Sequence, residues 1–323
     1  METVATPLMW FVFAVLVLAA LAVDLFVLKQ SGPHRVRTRE ALLWSMAWIA
    51  LAMLFNYGLW VWLRDDMAAA DADRVALEFL TGYLVEKALA VDNIFVFLML
   101  FTFFKVPAER QQRVLIFGVI GAIVLRAIMI LIGAALIAQF HWILYLFGIF
   151  LAATGVKMLL FAGEPPHLER NPVLLWMNRH LRLTTEYHAD SMTIQRDGVR
   201  YFTPLFLVMV MIGVTDVIFA VDSIPAIFAV TEDPFIVLTS NVFAVLGLRA
   251  LYFLLAGMAD RFHLLQYGLA AVLIFIGTKM LIVDFYKIPI FVALAVVAVT
   301  IGLSMVGSLL LPPKGDEPQT PSS

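Results

Sequence analysis

The chain has 323 residues, of which 63% are hydrophobic and only 14% charged, a balance far outside that of a soluble globular domain. Its formal net charge of −2 comes with no basic stripe, so nothing supports nucleic-acid binding. It contains no cysteine, which excludes disulfides, thiolate metal sites and iron–sulfur clusters.

A hydrocarbon core about 30 Å thick needs about 20 apolar residues of helix to cross it. By that measure the sequence predicts an all-α polytopic membrane protein with about nine transmembrane helices, over 8–28, 41–63, 78–104, 114–137, 141–162, 203–230, 235–257, 264–285 and 288–311. The first span starts with Glu2 and no cation, and no small-residue cleavage site follows Asp24, so it reads as a retained span and not a signal peptide. Lys29, Arg35, Arg37 and Arg39 follow that span, Lys105, Arg110 and Arg113 follow the third, and Arg170, Arg179, Arg182, Arg196 and Arg200 occupy the long central loop. The opposite loops carry Asp65, Asp66, Asp71, Asp73, Glu232 and Asp233. The positive-inside rule therefore predicts an N-terminus outside and a C-terminus inside. Trp60, Trp62 and Trp142, near span ends, read as interfacial anchors, and Gly118 and Gly121 as points of close helix approach. In the central loop, Asp197-Gly198 between alternating residues of 193–201 signals a two-residue β-hairpin. The tail after Leu311, rich in Pro and Ser, is expected to be disordered.

The chain also repeats itself. Ala90-Val91-Asp92 recurs as Ala220-Val221-Asp222, Leu125-Arg126-Ala127 as Leu248-Arg249-Ala250, Phe140-His141 as Phe262-His263, and Gly155-Val156-Lys157-Met158 as Gly277-Thr278-Lys279-Met280. Each copy holds three spans, and an odd number forces the second copy to enter from the opposite face. The expected organisation is an N-terminal helix pair over 1–77, a three-helix repeat over 78–162, a cytoplasmic loop over 163–202, an inverted repeat over 203–287, and a last helix with its tail over 288–323. Inverted repeats are the common build of secondary transporters, whose substrate sites lie near the midplane where the repeats meet.

Four acids fall there. Glu86 and Asp92 stand six residues apart in the third span, and Asp216 and Asp222 stand six apart in the sixth. A charge at the bilayer centre costs about 2.5–3.5 kcal/mol on insertion scales, so such a group is paired, faces a wet cavity or holds a cation. Six residues rotate a side chain by about 120° from its starting direction, so two acids of one helix share a cavity only if the helix bends or unwinds. Pro225, which deprives the Val221 carbonyl of its helical partner, favours a kink in the second copy, and Asn93 offers an amide oxygen in the first. Oxygen-rich ligands without cysteine suit Mn²⁺, Ca²⁺ or Mg²⁺, and His141 and His263 lie at opposite faces. Asp24, ending a third Ala-Val-Asp, lies nearer the cytoplasmic face and reads as part of an exit path. The residues alone leave a second account open, in which these acids form structural ion pairs with Lys87, Arg126, Lys157, Arg249 and Lys279. Lys157 and Lys279 lie toward helix ends and can snorkel to the interfaces, which leaves Arg126, Arg249 and Lys87 to face the acids. Thr239-Ser240-Asn241 is polar within a span and fits either helix packing or the ion path. No nucleophile and base stand at useful spacing and no nucleotide-binding motif is present, so no enzyme is expected.

At Glu86-Lys87 with Asp92-Asn93, at 216–231 from Asp216 through Asp222-Ser223 and Pro225, and at Thr239-Ser240-Asn241 with Gly247-Leu248-Arg249-Ala250, the sequence resembles the TerC family of integral membrane proteins, and within it the Alx branch. The resemblance runs from Thr6 to about Pro289. It implies a bacterial inner-membrane protein associated with Mn²⁺ export, alkaline-pH response and tellurium-ion resistance. By position, Glu86, Asp92, Asn93, Asp216 and Asp222 match the family's polar motif residues. One departure is Gly213, where many relatives place a Glu. A redox role finds no cysteine or flavin motif to carry it. The expected function is gradient-driven, proton-coupled export of a divalent cation, Mn²⁺ before Ca²⁺ or Mg²⁺, with no tightly bound cofactor. Asp92 and Asp222 are expected as direct ligands and Glu86 and Asp216 as ligands or proton carriers, with Arg126 and Arg249 gating the site when it is empty. The alternative is a non-transporting membrane scaffold in tellurium resistance or envelope stress, whose cytoplasmic loop recruits protein partners.

Overall fold

The computed structural model describes residues 3–31, 36–140, 142–160, 171–184, 191–196, 198–256 and 264–311, with the backbone alone for 27–31 and Asp92. The Asp92 side chain, His141, His263, Asp197 and the tail after Leu311 lie outside the described residues, and with them the expectations attached to each.

In chain order the helices are α1 (Pro7–Ser31), α2 (Thr38–Asp66), α3 (Ala69–Phe103), α4 (Ala108–Gln139) and α5 (Ile143–Leu160). A short α6 (Pro172–His180) and strands β1 (Thr193–Arg196) and β2 (Val199–Phe202) follow, then α7 (Pro204–Phe228), α8 (Pro234–Leu246), α9 (Leu248–Ala256), α10 (Leu265–Leu281) and α11 (Ile290–Leu310). Among the described residues, six helices are long and apolar enough to cross a membrane, namely α1, α2, α4, α5, α7 and α11, and α8 with α9 pass as a seventh if counted as one span. The protein is thus an all-α membrane protein, with large side chains such as Phe11, Leu18, Phe291, Leu303 and Leu310 exposed on its outer surface.

The expected single span over 235–257 is broken. α8 and α9 are bent by 42° at the junction that Gly247 occupies. Gly is a poor helix former, and the last carbonyls of a helix lack intrahelical donors. One of them, the Ala244 carbonyl, accepts a hydrogen bond from Lys87 Nζ at 3.1 Å. A Cβ added at Gly247 would lie 2.7 Å from that ammonium and 3.2 Å from Trp48 Cβ, so the side chain of α3 reaches the break across a residue that has none of its own.

Two helix pairs form the centre. Along α3 and α7, Glu78 bonds Thr231, Gly82 faces Ile227, and Glu86 and Ser223 meet on one guanidinium nitrogen. Each step of four up one helix matches a step of four down the other, so the two run antiparallel. α5 and α10 approach until backbone nearly touches backbone. A Cβ on Gly277 would stand 2.7 Å from the Gly148 carbonyl oxygen, and one on Gly155 would stand 2.8 Å from that of Ala270. These contacts also run in opposite directions along the chain. α8, every residue of which is buried, packs against α3 and α4, and Phe13, Phe55, Phe79, Phe235 and Phe243 cluster where it meets α1, α2 and α3.

At one end of the bundle a vestibule of about 810 Å³ opens between the start of α3 and the ends of α4, α7 and α10. Thr3 and Val4 lie on its wall, tied to Asp233, which accepts from Thr3 Oγ1 at 2.9 Å and Val4 N at 2.7 Å while capping α8 through Phe235 N. In the central segment, β1 and β2 pair antiparallel with Arg196 opposite Val199, as the hairpin signal predicts, and Gly198 in the turn takes φ +74°. α6 was not among the predicted elements; Asn171 caps it by accepting from Val173 N at 2.9 Å.

Candidate functional site

Arg126 of α4 organises the middle of the bundle. It is 1% exposed and binds Glu86 of α3 through NH1 and Asp216 of α7 through NH2, the latter at 3.3 Å. NH1 also donates to the Asn241 side-chain oxygen of α8 at 3.0 Å and to Ser223 Oγ of α7 at 3.4 Å. One guanidinium thus joins four helices, which suits the fixed fork of donors that Arg carries. One oxygen of each acid stays open: Glu86 Oε2 and Asp216 Oδ2 are buried and accept from no donor among the described residues. A buried, unpartnered carboxylate oxygen is costly and marks a place for a further positive or donating group.

Beside this pair lies a cavity of about 50 Å³, lined by Glu86, Asn93, Thr154, Met158, Asp222 and Ser223, with Leu89, Phe219 and Leu273 completing its wall. That volume has room for a few water-sized groups. Thr154 of α5 donates its hydroxyl to Asp222 Oδ1 at 3.2 Å. The cavity therefore brings together carboxylates, neutral oxygen and amide groups, and apolar side chains on one lining.

The acids meet across helices and not along one. Asp216 turns to Arg126 while Asp222, six residues on, turns to Thr154, as a regular helix requires. α7 is one helix through both acids and Pro225, ending one turn later at Phe228. Antiparallel packing brings Glu86 of α3 to the same cavity as Asp222 of α7.

Other predicted residues lie elsewhere. Asp24 stands apart from the cavity, in a two-pronged ion pair with Arg249, whose NH2 and Nε lie 2.5 and 3.2 Å from its two oxygens. Arg249, the repeat counterpart of Arg126, thus faces α1 and not the central acids. Lys87 likewise turns away from Glu86 to the Ala244 carbonyl. Thr239 and Ser240 bond back to the Phe235 and Ile236 carbonyls of their own helix, and only Asn241 of that cluster reaches the site. Among the described residues no three His, Asp or Glu side chains form a ready metal cluster.

Ser223, Asn241, Thr154 and Met158 were missing from the predicted site. Ser223 had a signal, since it replaces Asn93 in the repeated motif, and Asn241 stood in a polar cluster that the sequence leaves undecided. Thr154 gave none, as an ordinary residue of an apolar helix, and Met158 stood in the repeated Gly-x-Lys-Met stretch without being read as part of the site. At the departure from the family pattern, a Cβ added to Gly213 meets nothing within 4 Å, so the backbone there leaves room for a side chain.

Comparison with known proteins places these residues in a lineage. The chain is 56% identical over 297 residues to the Alx protein of Escherichia coli (strain K12), named for a suggested role as a membrane-bound redox modulator, covering 92% of each chain. It is 52% identical over 306 residues to the like-named protein of Photorhabdus laumondii, covering 95% of this chain and 96% of that one. A membrane protein of Myxococcus xanthus is 44% identical over 313 residues, covering 96% and 95%. No solved structure matches. Residues 72–314, which hold every helix of the central site, match the family described as integral membrane protein TerC. The chain belongs to the TerC family.

Proposed function

We propose that the protein exports a divalent cation, Mn²⁺ in the first place, across the cytoplasmic membrane, drawing on an ion gradient or the membrane potential. The observation that carries this reading is Glu86: fully buried, with one oxygen on Arg126 and the other unpartnered, it lines the cavity that Asp222 enters from the opposite helix. The open oxygen leaves Glu86 with acceptor capacity that its pairing with Arg126 does not use. Asn93, Thr154 and Ser223 supply further hard donors on the same walls.

Arg126 acts in this reading as an internal stand-in for the cargo, holding Glu86 and Asp216 together until a cation takes its place. Asp24 and Arg249 brace α1 against α9 and take no part in ligation. Nine crossings follow if the charged but 35-residue α3 and the 17-residue α10 also span, each paired antiparallel with a neighbour that does. Support for an inverted repeat comes from the contacts themselves. Gly155 meets Ala270 and Gly277 meets Gly148, and these are the same two repeat positions exchanged, as at an interface about a two-fold axis. The arginines at 170, 179, 182, 196 and 200 put the central segment inside, and the vestibule then opens outward.

The test is Mn²⁺ flux in proteoliposomes, with and without a pH gradient, for wild type, Glu86→Gln, Asp92→Asn and Asp222→Asn. Flux is expected in wild type, accelerated by an opposing proton gradient, and a loss of at least about tenfold in each variant, the scale of one lost charged interaction. If well-folded wild type moves no Mn²⁺, Ca²⁺ or Mg²⁺ under any gradient, the transport reading fails and the scaffold role takes its place.

A further inference from the structure

Carboxylates, an amide and hydroxyls do not choose among the divalent cations, since Mn²⁺, Ca²⁺ and Mg²⁺ all accept oxygen. The cavity has one wall residue of another kind. α5 presents Thr154 and Met158 one turn apart on a single face; Thr154 binds Asp222, and Met158 lines the same 50 Å³ space as Glu86, Asn93, Asp222 and Ser223. Met158 is the sole sulfur-bearing residue of that lining. The remaining apolar wall, Leu89, Phe219 and Leu273, cannot coordinate at all. Met280, at the position in the second repeat that corresponds to Met158, lines the outer vestibule, so a thioether stands at both stations of the route.

Resting on the cation-transport reading, we propose that Met158 is a selectivity residue, whose thioether admits a transition-metal dication in preference to Ca²⁺ and Mg²⁺. A thioether is a soft, polarizable donor with a lone pair for a transition metal and little to offer an alkaline-earth ion. Ca²⁺ or Mg²⁺ entering here would lose water on the Met158 side and receive no oxygen in exchange, while Mn²⁺ and softer ions recover part of that loss through sulfur. The softness also ranks the cations among themselves, with Cd²⁺ gaining most. Leu in place of Met keeps the volume of the wall nearly unchanged and removes the donor, so its effect isolates the sulfur.

The experiment reads Mn²⁺ flux in proteoliposomes against rising external Ca²⁺ or Cd²⁺, for wild type, Met158→Leu and the sulfur-retaining Met158→Cys. In Met158→Leu the preference for Mn²⁺ and Cd²⁺ over Ca²⁺ is expected to fall by about tenfold, whatever the absolute flux, and in Met158→Cys to persist. X-ray absorption at the cadmium edge on Cd²⁺-loaded wild type gives an answer independent of how the variants fold, with a sulfur neighbour expected in a chain that contains no cysteine. An unchanged preference in Met158→Leu, or a shell of oxygen and nitrogen alone, overturns the assignment while leaving transport intact. Absence of any wild-type flux removes the transport reading itself.

Discussion

Asp24 and Asp216 are both aspartates buried within apolar helices, but only the first has a cation gripping both of its oxygens. Removing one partner of such a buried pair leaves the other charge uncompensated, at about 3–5 kcal/mol. Asp24→Asn is therefore expected to lower thermal stability in detergent by about that amount, Asp24→Asn with Arg249→Gln to recover much of it, and flux per folded molecule to stay near wild type in both. A stable Asp24→Asn protein with no flux would return Asp24 to the ion path. The acids were legible in the sequence because a charge in an apolar run stands out whatever its neighbours are. Their partners were not, for reasons of helix geometry. Lys87 follows Glu86 directly, yet adjacent residues on a helix point about 100° apart, and that turn sends it to the α8–α9 break instead of the acids. Thr154 carries no signal in one dimension and Met158 only its place in the repeat, and both acquire a role only when α5 is laid beside α7.

At the scale of elements, the approach of α5 to α10 depends on side chains that are absent. A Cβ on Gly277 would lie 2.6 Å from the Ala152 nitrogen and 2.7 Å from the Gly148 oxygen, and neither backbone atom can swing aside. Gly302 lies in open space, with nothing within 4 Å of an added Cβ. Gly277→Ala is thus expected to destabilise the protein by about 1–3 kcal/mol in thermal unfolding, the usual range for overpacking, while Gly302→Ala is neutral or slightly stabilising. Equal midpoints for the two variants would show that the helices have slack to separate. The sequence marked Gly118 and Gly121 for close approach; Gly118 does face Ile212, with an added Cβ 3.1 Å from its Cγ2, but Gly121 meets nothing within 4 Å, and the closest approaches to another helix's backbone fall at Gly277, Gly155 and Gly148. Span positions and the hairpin were legible because hydropathy and Asp-Gly are local properties. The α8–α9 break was not, since it needs the ammonium of another helix, and α6 went unread although Asn171-Pro172 before an apolar run is an N-cap signal.

For the whole molecule, the absence of cysteine makes orientation directly measurable. Ala138→Cys, on the wall of the vestibule, is expected to react with a membrane-impermeant maleimide in intact cells, and Arg179→Cys on α6 only after permeabilisation. The reverse pattern would invert the topology and turn the vestibule toward the cytoplasm. One further property follows from Arg126. Glu86, Asp216 and Asp222 against this guanidinium and the ammonium of Lys157, whose charge acts on Asp222, leave the site, counted without Asp92, formally one charge negative, and a divalent cargo brings it to one positive. Each charge that crosses the membrane field does about 2.3 kcal/mol of work per 100 mV. A loaded carrier built this way would move one positive charge outward against a negative interior, and the empty carrier, returning one negative charge toward that interior, would also move against it. The electrical work of export would then be shared equally between the step that carries the cation and the step that carries nothing.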